Sequence, residues 1–268
     1  MKGHRIRLSA PRRLIVEHCR LALGVPRGAL VGTLDLAPLA AARAAAPSRP
    51  PWTAIFAKAQ ALAALDVPEL RRIYVKLPWP HLYELPSSVA AIVVERDVGG
   101  EPALFYARAK SPETMPLLDI GARIQAAKTA PLSELREFRL ALAIARLPMP
   151  LARLLIWMGR NLGRQAPNWF GTFGVSTAGG TGITFTIAVS HWTSFLTYGP
   201  IGADGRVETH LTFDHRAMDG GHAAAAFAAL RVALLGPVLD ELRALGQARA
   251  VGRSRTAAID GPVLGVVA

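Results

Sequence analysis

The sequence predicts one mixed α/β domain in which a mixed sheet is flanked by helices, an arrangement also described as an α+β sandwich. Helical and strand-like patterns alternate along the 268 residues of the chain. Apolar residues make up 51% of the sequence and charged residues 19%, which is typical of a globular chain with a sizeable core. No internal repeat and no long Pro-, Ser- or Gly-rich linker divides the chain, so residues 1–245 are assigned to a single domain.

The first quarter of the chain predicts helices around one short strand. Ser9 is suited to the N-cap of a helix that has a proline in its first turn and runs to Gly24. The run RGALVGTLDLA, residues 27–37, predicts a strand, and a small alanine-rich helix follows it. The run WTAIFAKAQALAAL, residues 52–65, predicts a strong amphipathic helix.

A β-hairpin is predicted next. The runs SVAAIVVERD, residues 88–97, and ALFYARAK, residues 103–110, both have strand character. The glycine-containing segment VGGEP joins them and predicts the turn. Further helices are expected over about residues 115–128 and from Leu132 onward.

A helical insertion is predicted over about residues 132–165. Its central run, FRLALAIARLPMPLARLLIWMGRNL, is broken by two prolines into two amphipathic helices. Arginines recur every seven residues, so no apolar run approaches the ~18 residues that a membrane span requires. These arginines are expected on an exposed face: Arg139, Arg146, Arg153 and Arg160. A solvated face is the simpler interpretation, and attachment of this basic face to a membrane surface is the alternative.

The last third of the chain predicts buried strands followed by a helix. Residues 165–203 carry no formal charge, and their alternating Gly, Thr, Phe, Val and Ile predict strands joined by glycine turns rather than a membrane span. A strand that ends at Asp214 leads through a turn into an alanine-rich helix. Residues 246–268 are basic, glycine-rich and aperiodic, which predicts a loosely ordered C-terminal tail.

Cysteine content and charge limit the classes of protein to which the chain can belong. Cys19 is the only cysteine, so no disulfide framework is available and a reducing compartment is expected. The N-terminus lacks the pattern of a signal peptide, and a cytoplasmic location is therefore expected. A formal net charge of +12 favours an anionic ligand, cofactor, nucleic acid or membrane surface without choosing among them. Binding of nucleic acid has no support beyond charge, because no recognised module and no interleaved aromatic residues accompany it.

The run FDHRAMDGG carries more chemistry than a turn requires. It places His215 between Asp214 and Arg216, with Asp219 and Gly220 just downstream. This run resembles the H-x-x-x-D-G signature of the chloramphenicol acetyltransferase-like superfamily, and its Asp-His-Arg form is similar to the catalytic domain of dihydrolipoamide acyltransferases of 2-oxo acid dehydrogenase complexes. The resemblance implies a chloramphenicol acetyltransferase-like fold over about residues 5–245.

Two further segments support this resemblance. The run GTFGVSTAGGTG, residues 171–182, is similar to the family's glycine-flanked strand, in which Ser176 occupies the position of the family's serine. The run PRRLIVEHCR, which contains Arg12 and Arg13, lies where the family has an Arg-Lys helix start. Gly174 and Ala178 depart from the residues that usually surround the serine. Lipoyl-bearing and subunit-binding domains are missing from the sequence, and no lysine has a D-K-A lipoylation context.

The resemblance assigns roles to individual residues. His215 would be the general base that takes a proton from a thiol, and Ser176 would donate a hydrogen bond to the oxyanion of the tetrahedral intermediate. Asp219 would be a structural residue paired with Arg12 or Arg13, and Gly220 would allow close backbone approach.

The resemblance also implies substrates and partners. The acyl donor would be acyl-coenzyme A, and no lipoyl group on this chain and no metal are expected. The acceptor would be a thiol on a separate lipoyl-domain or carrier protein, a free thiol, or an alcohol or amine. The site would lie between the subunits of a homotrimer, or of a larger assembly of trimers, with histidine and serine contributed by different chains.

Other interpretations remain beside this one. Each candidate residue also has a purely structural interpretation. Asp219 would then be only a helix N-cap, Ser176 would be an ordinary strand serine, and His215 would be a turn histidine. A metal site would need a set such as His210, His215, Asp219 and His222, but no H-E-x-x-H or cysteine pattern supports one. A serine hydrolase is not favoured, because GVSTA lacks the second glycine of G-x-S-x-G. The remaining alternative to an acyltransferase is a catalytically weak or inactive acyltransferase-like scaffold or regulatory subunit.

Overall fold

A computed structural model describes residues 2–161, 166–177 and 189–247. Eight strands are found in these ranges: β1 (Arg27–Asp35), β2 (Arg72–Val75), β3 (His81–Glu84), β4 (Val89–Asp97), β5 (Pro102–Lys110), β6 (Phe173–Thr177), β7 (Ser194–Tyr198) and β8 (Arg206–Asp214). The helices are α1 (Ala10–Leu23), α2 (Ala37–Ala45), α3 (Trp52–Asp66), α4 (Leu117–Thr129), α5 (Arg136–Arg146), α6 (Met149–Asn161), α7 (Ala166–Phe170) and α8 (Gly220–Leu235).

Six of the strands form one mixed sheet in the order β1-β8-β7-β6-β4-β5. β6 runs parallel to β4 and to β7, whereas β8 runs antiparallel to β7 and to β1. The β4–β5 hairpin is antiparallel, as its sequence predicts. Helices flank this sheet, so the predicted mixed α/β class is confirmed. The short β2–β3 pair forms a second sheet that the sequence analysis did not anticipate.

Local sequence signals account for several helix boundaries. The hydroxyl of Ser9 accepts a hydrogen bond from the amide of Arg12 at 3.1 Å, which caps α1 as predicted. The insertion forms α5 and α6, and the break between them falls at the predicted prolines. The predicted C-terminal tail lies almost entirely outside the described residues.

α3 is buried on nearly all sides and is therefore not the amphipathic helix that its sequence predicts. Two polar side chains in this helix find partners far along the chain. Lys58 pairs with Glu241 and donates to the carbonyl of Met115, and Gln60 donates to the hydroxyl of Ser194 at 3.3 Å. α3 packs against α8 and against β4 and β6 of the sheet. It can be a core helix because tertiary contacts satisfy its polar groups.

The exposed arginine face of the insertion is confirmed at three positions and wrong at the fourth. Arg139, Arg146 and Arg153 are exposed, and Arg153 pairs with Glu17 at 3.0 Å. Arg160 is partly buried and lines a small cavity, where its guanidinium reaches the carbonyl of His191 at 3.5 Å. Arg153 and Arg160 lie on nearly the same face of α6, as the seven-residue spacing requires. The end of this helix is packed against the segment before β7, which covers that face at Arg160 but not at Arg153.

By length and composition alone, one described stretch, Gly220–Gln247, is apolar enough to cross a membrane. It contains α8 and a helical continuation over residues 237–247. The stretch packs against α3 and contributes several fully buried side chains to the core: Ala223, Ala226, Leu230, Leu234, Val238 and Leu242. Core packing therefore explains its hydropathy.

Candidate active site

The turn after β8 is fixed by a bidentate ion pair. The carboxylate of Asp214, which is 3% exposed, accepts from Nε and Nη2 of Arg216 at 2.9 and 2.7 Å. The same guanidinium donates to the carbonyl of Gly24 at 3.0 Å and stacks over the ring of Tyr74 at 4.4 Å. Asp214 and Arg216 therefore hold the turn in place rather than flank a reacting atom.

His215 projects from this turn as an exposed residue. Its backbone amide donates to the carbonyl of Pro26 at 2.9 Å, and its imidazole packs edge-on against the ring of Phe213 at 4.9 Å. A side chain on Gly28 would meet the Phe213 ring at 2.3 Å, so this glycine makes room for the ring. The imidazole is thus positioned by packing against Phe213 and by the turn.

Asp219 caps α8 and pairs with a histidine. Its carboxylate accepts from the backbone amide of His222 at 3.4 Å and lies 2.8 Å from Nδ1 of the same residue. The expected partners lie elsewhere within the chain: Arg12 is 3.8 Å from Glu101, and Arg13 donates to the carbonyl of Ala145. Within a single chain Arg12 and Arg13 contact these groups instead of Asp219, because the start of α1 lies beside β5. The expected pairing of Asp219 with Arg12 or Arg13 stays a prediction.

Within one chain, Gly220 makes no close backbone approach, so the role expected of it stays a prediction. A Cβ at this position would meet no atom within 4 Å inside the chain. The glycine is exposed as the first residue of α8, directly after the capping carboxylate of Asp219. Packing within one chain therefore does not explain the glycine.

Ser176 lies near the end of β6, partly buried. In the register of the sheet, Ser176 is paired with Thr197 on β7, and Thr197 is paired with His210 on β8. His215 lies five residues further along β8, so the two candidate residues are separated by roughly 17 Å along the strands and about 10 Å across them. Serine and histidine are therefore about 19 Å apart within one chain, at opposite ends of the sheet.

Packing explains one departure of the serine strand from the family pattern. A side chain at Gly174 would lie 2.3 Å from the ring of Phe195 and 3.0 Å from that of Trp192. Only a residue without Cβ lets these rings cover β6. Ala178, the other departure, lies outside the described residues.

Three guanidinium groups surround the single carboxylate of Asp214. Arg216 binds it directly, and the charges of Arg27 and Arg160 both act on it. Burial, together with the neighbouring guanidinium of Arg216, lowers the pKa of Arg27 and of Arg160 to about 10. Nε and Nη1 of Arg27 are buried and have no hydrogen-bond partner among the described residues. This excess of positive charge behind the His215 turn favours anionic groups near it.

A pair of histidines lies beside this cationic cluster. Nε2 of His18 contacts the carbonyl of Val189 at 2.8 Å and must carry the proton, because a carbonyl only accepts. Nδ1 then accepts from the hydroxyl of Tyr106 at 3.2 Å. Burial lowers the pKa of His18 and holds the pKa of His191 well below its ordinary value, so both rings are neutral near pH 7. Their rings are 5.1 Å apart.

The sequence analysis missed this cluster. Its members Arg27, Arg160, His18 and His191 come from four separate elements or loops, and no local motif links them. The remaining candidate metal ligands are engaged separately, His210 with Glu208 and His222 with Asp219. In the part of the chain that the structure describes, no group of three or more His, Cys, Asp or Glu residues could hold a metal ion.

Comparison with solved structures identifies the fold. A probable dihydrolipoamide acetyltransferase from Listeria monocytogenes superposes with a TM-score of 0.62 at 19% identity, covering 87% of this chain and 94% of that chain. The cubic core of a pyruvate dehydrogenase multienzyme complex gives a TM-score of 0.60 at 16% identity, with 91% and 94% covered. The dihydrolipoamide acetyltransferase of Azotobacter vinelandii gives the same values.

Comparisons at the level of sequence find no relative: no family model and no curated protein matches the chain. The structural similarity covers most of both chains in each pair, so it concerns the whole fold rather than one motif. The chain has the same fold as these dihydrolipoamide acetyltransferase and pyruvate dehydrogenase cores.

Proposed function

We propose that the protein is an acyltransferase that moves an acyl group between acyl-coenzyme A and a thiol, at a site formed by His215 of one copy and Ser176 of another. The observation that carries this proposal is the antiparallel arrangement of β6 and β8. The two residues lie at opposite ends of one sheet, and His215 is exposed. Two copies can therefore bring a histidine end and a serine end together, which one copy cannot do alone.

The chemistry follows from the two side chains. The imidazole of His215 takes the proton of the acceptor thiol, and the resulting thiolate forms a new C–S bond at the thioester carbonyl carbon. The hydroxyl of Ser176 donates a hydrogen bond to the oxyanion that develops on the carbonyl oxygen. When the intermediate collapses, the bond to the sulfur of coenzyme A breaks, and the released thiolate takes the proton back from the imidazolium.

Two properties of known structures support this assignment. The study of the A. vinelandii enzyme concerns the role of a serine, a histidine and an asparagine in its catalytic mechanism, with the last two spaced as His215 and Asp219 are. The pyruvate dehydrogenase core is a cubic assembly. We therefore propose that this chain assembles as a trimer, or as an assembly of trimers. Its single cysteine supports the further proposal that it acts in a reducing compartment, the cytoplasm.

Charge supports an anionic donor. The net charge of +12 and the three guanidinium groups behind the His215 turn suit a nucleotide thioester that carries several phosphates. We propose a dihydrolipoyl thiol as the acceptor, because two of the similar solved structures are dihydrolipoamide acetyltransferases.

A panel of acyl-coenzyme A donors tests the proposal. Release of coenzyme A is measured with and without dihydrolipoamide, and release that depends on the acceptor is expected. His215→Ala should lower the rate by ~10²–10⁴-fold, and Ser176→Ala by ~10²–10³-fold with unchanged donor binding. Thr177→Ala, on the neighbouring and oppositely directed position of β6, is the matched control for the serine. Folded protein that releases no coenzyme A from any donor would favour the scaffold or regulatory subunit.

A further inference from the structure

A large apolar cavity lies between α1, the insertion helices and the edge of the sheet at β5, apart from the His215 turn. Its volume is about 620 Å³, which is within the range of cavities that hold small organic ligands. The apolar part of its wall comes from three helices and from the segment before β7: Leu14, Leu21, Leu140, Ile144, Ile156 and Trp192.

The polarity of the cavity changes along β5. Alternate residues of a strand face the same side, and on this side Leu104 and Tyr106 are followed by Arg108 and Lys110. Arg108 pairs with Glu137 at 2.9 Å, which places the first turn of α5 beside the basic half of the strand. The cavity thus has an apolar end toward α1 and a basic end toward the start of α5.

The basic end has positive charge that the protein does not neutralise. Lys110, Arg123 and Arg136 all line the cavity. None of them forms an ion pair with a described residue, and all three are exposed at the rim. Both carboxylates in the lining are already engaged, Glu137 by Arg108 and Glu17 by two arginines. Three cations are therefore available to an anionic group at the rim.

We propose that this cavity binds one linear acyl chain that carries an anionic head group. The chain lies in the apolar end between α1 and α5, and the head group lies against Lys110, Arg123 and Arg136. The volume, the apolar wall and the uncompensated rim charge each match one part of such an amphiphile. The proposal goes beyond the acyl transfer proposed above and does not depend on it, because binding requires neither His215 nor Ser176.

Calorimetric titration of the intact protein with saturated fatty acids of increasing length tests the proposal. Affinity should rise about fourfold for each added methylene until the cavity is filled. A fatty alcohol of equal length should bind about fivefold more weakly, because it lacks the charge that the rim cations attract. Acyl-coenzyme A of matched chain lengths forms the second arm and distinguishes a thioester source of the chain from a free carboxylate.

Two pairs of variants locate the site. Ala141→Trp on α5 fills the cavity and should weaken binding at least tenfold, whereas Ala143→Trp on the exposed side of the same helix should leave it within about twofold. The double variant Arg123→Gln, Arg136→Gln should abolish the preference for acid over alcohol. Arg139→Gln, on α5 but outside the cavity, should keep that preference.

The outcomes are distinguishable. Affinity that does not depend on chain length, or equal effects of the two tryptophan variants, would overturn the proposal. If Ala141→Trp fails to fold, the double arginine variant still tests the proposal, because both of its substitutions are on the surface. An unchanged preference of this variant for acid over alcohol contradicts the proposed head-group site. If the protein transfers no acyl group but its affinity for fatty acids still rises with chain length, the proposed function is contradicted and the proposed binding site is supported.

Discussion

The positions of Ser176 and His215 at opposite ends of one sheet predict that two inactive variants complement each other. His215→Ala removes the base from one end of a copy, and Ser176→Ala removes the oxyanion donor from the other end. Each variant alone should be inactive within the limits given above. In mixed assemblies, a site that joins the His215 of one copy to the Ser176 of a different copy is intact.

The size of the recovery follows from the arrangement. With equal amounts of the two variants and random assembly, a site is intact when both of its contributors carry the required residue, which gives about one quarter of the wild-type rate. In trimers that contain at least one copy of each variant, one site of the three is intact, and about one third of the wild-type rate is expected. A site built within one chain would give no recovery at any ratio.

The assay measures acceptor-dependent release of coenzyme A from co-expressed variants that carry different affinity tags. Two successive affinity steps isolate mixed assemblies, and mass measurement of the intact assemblies gives their composition. Mixed trimers without activity above that of the parent variants would refute the intersubunit site. Light scattering that shows only active monomers would refute it independently.

Three further predictions concern the support of the site. Asp214→Asn should lower the free energy of unfolding by roughly 3 kcal/mol, because it leaves buried guanidinium groups without their carboxylate. Gly28→Ala should lower the rate of acyl transfer about tenfold with a smaller loss of stability, because the new methyl group displaces the Phe213 ring that supports the imidazole. The melting temperature should fall as the pH falls through about 6.5, because His18 and His191 bind protons in the unfolded chain but stay neutral in the fold.

Each of these predictions has a control elsewhere in the chain. Asp240→Asn removes an exposed carboxylate and should change stability by less than about 0.5 kcal/mol. Gly3→Ala adds a methyl group that meets no atom within 4 Å and should leave the rate unchanged. A double glutamine variant of His18 and His191 should flatten the pH dependence of the melting temperature, whereas His4→Gln should not. A slope that survives the double variant would contradict the assignment to these two histidines.

The sequence predicts the elements that local signals define. The Ser9 cap, the β4–β5 hairpin and the proline break of the insertion all depend on neighbouring residues, and the structure confirms each of them. α3 was misjudged because Lys58 and Gln60 suggest a wet face, while the groups that satisfy them lie more than fifty residues away. Tertiary contacts of this kind leave no periodic trace in the sequence.

The candidate site likewise has features that local sequence signals predict and features that depend on tertiary contacts. The positions of His215 and Ser176 come from short motifs, and the structure adds that they lie at opposite ends of a sheet. The engagement of Arg12 and Arg13 with groups other than Asp219, and the burial of Arg160, depend on how distant helices are placed, which the local pattern does not contain. The apolar cavity could not be predicted for the same reason, because its wall combines segments that are far apart in the sequence.

β1 has β8 as its neighbour on one side and, among the described strands, none on the other. Alternate backbone amides of this strand are therefore bonded to β8, and those between them point outward. In a free chain, amide hydrogen exchange along β1 should alternate between slow and fast from one residue to the next. Assembly that covers this edge would slow the outward amides alone, so the exchange pattern of a single nine-residue strand reports on quaternary contact without any substrate.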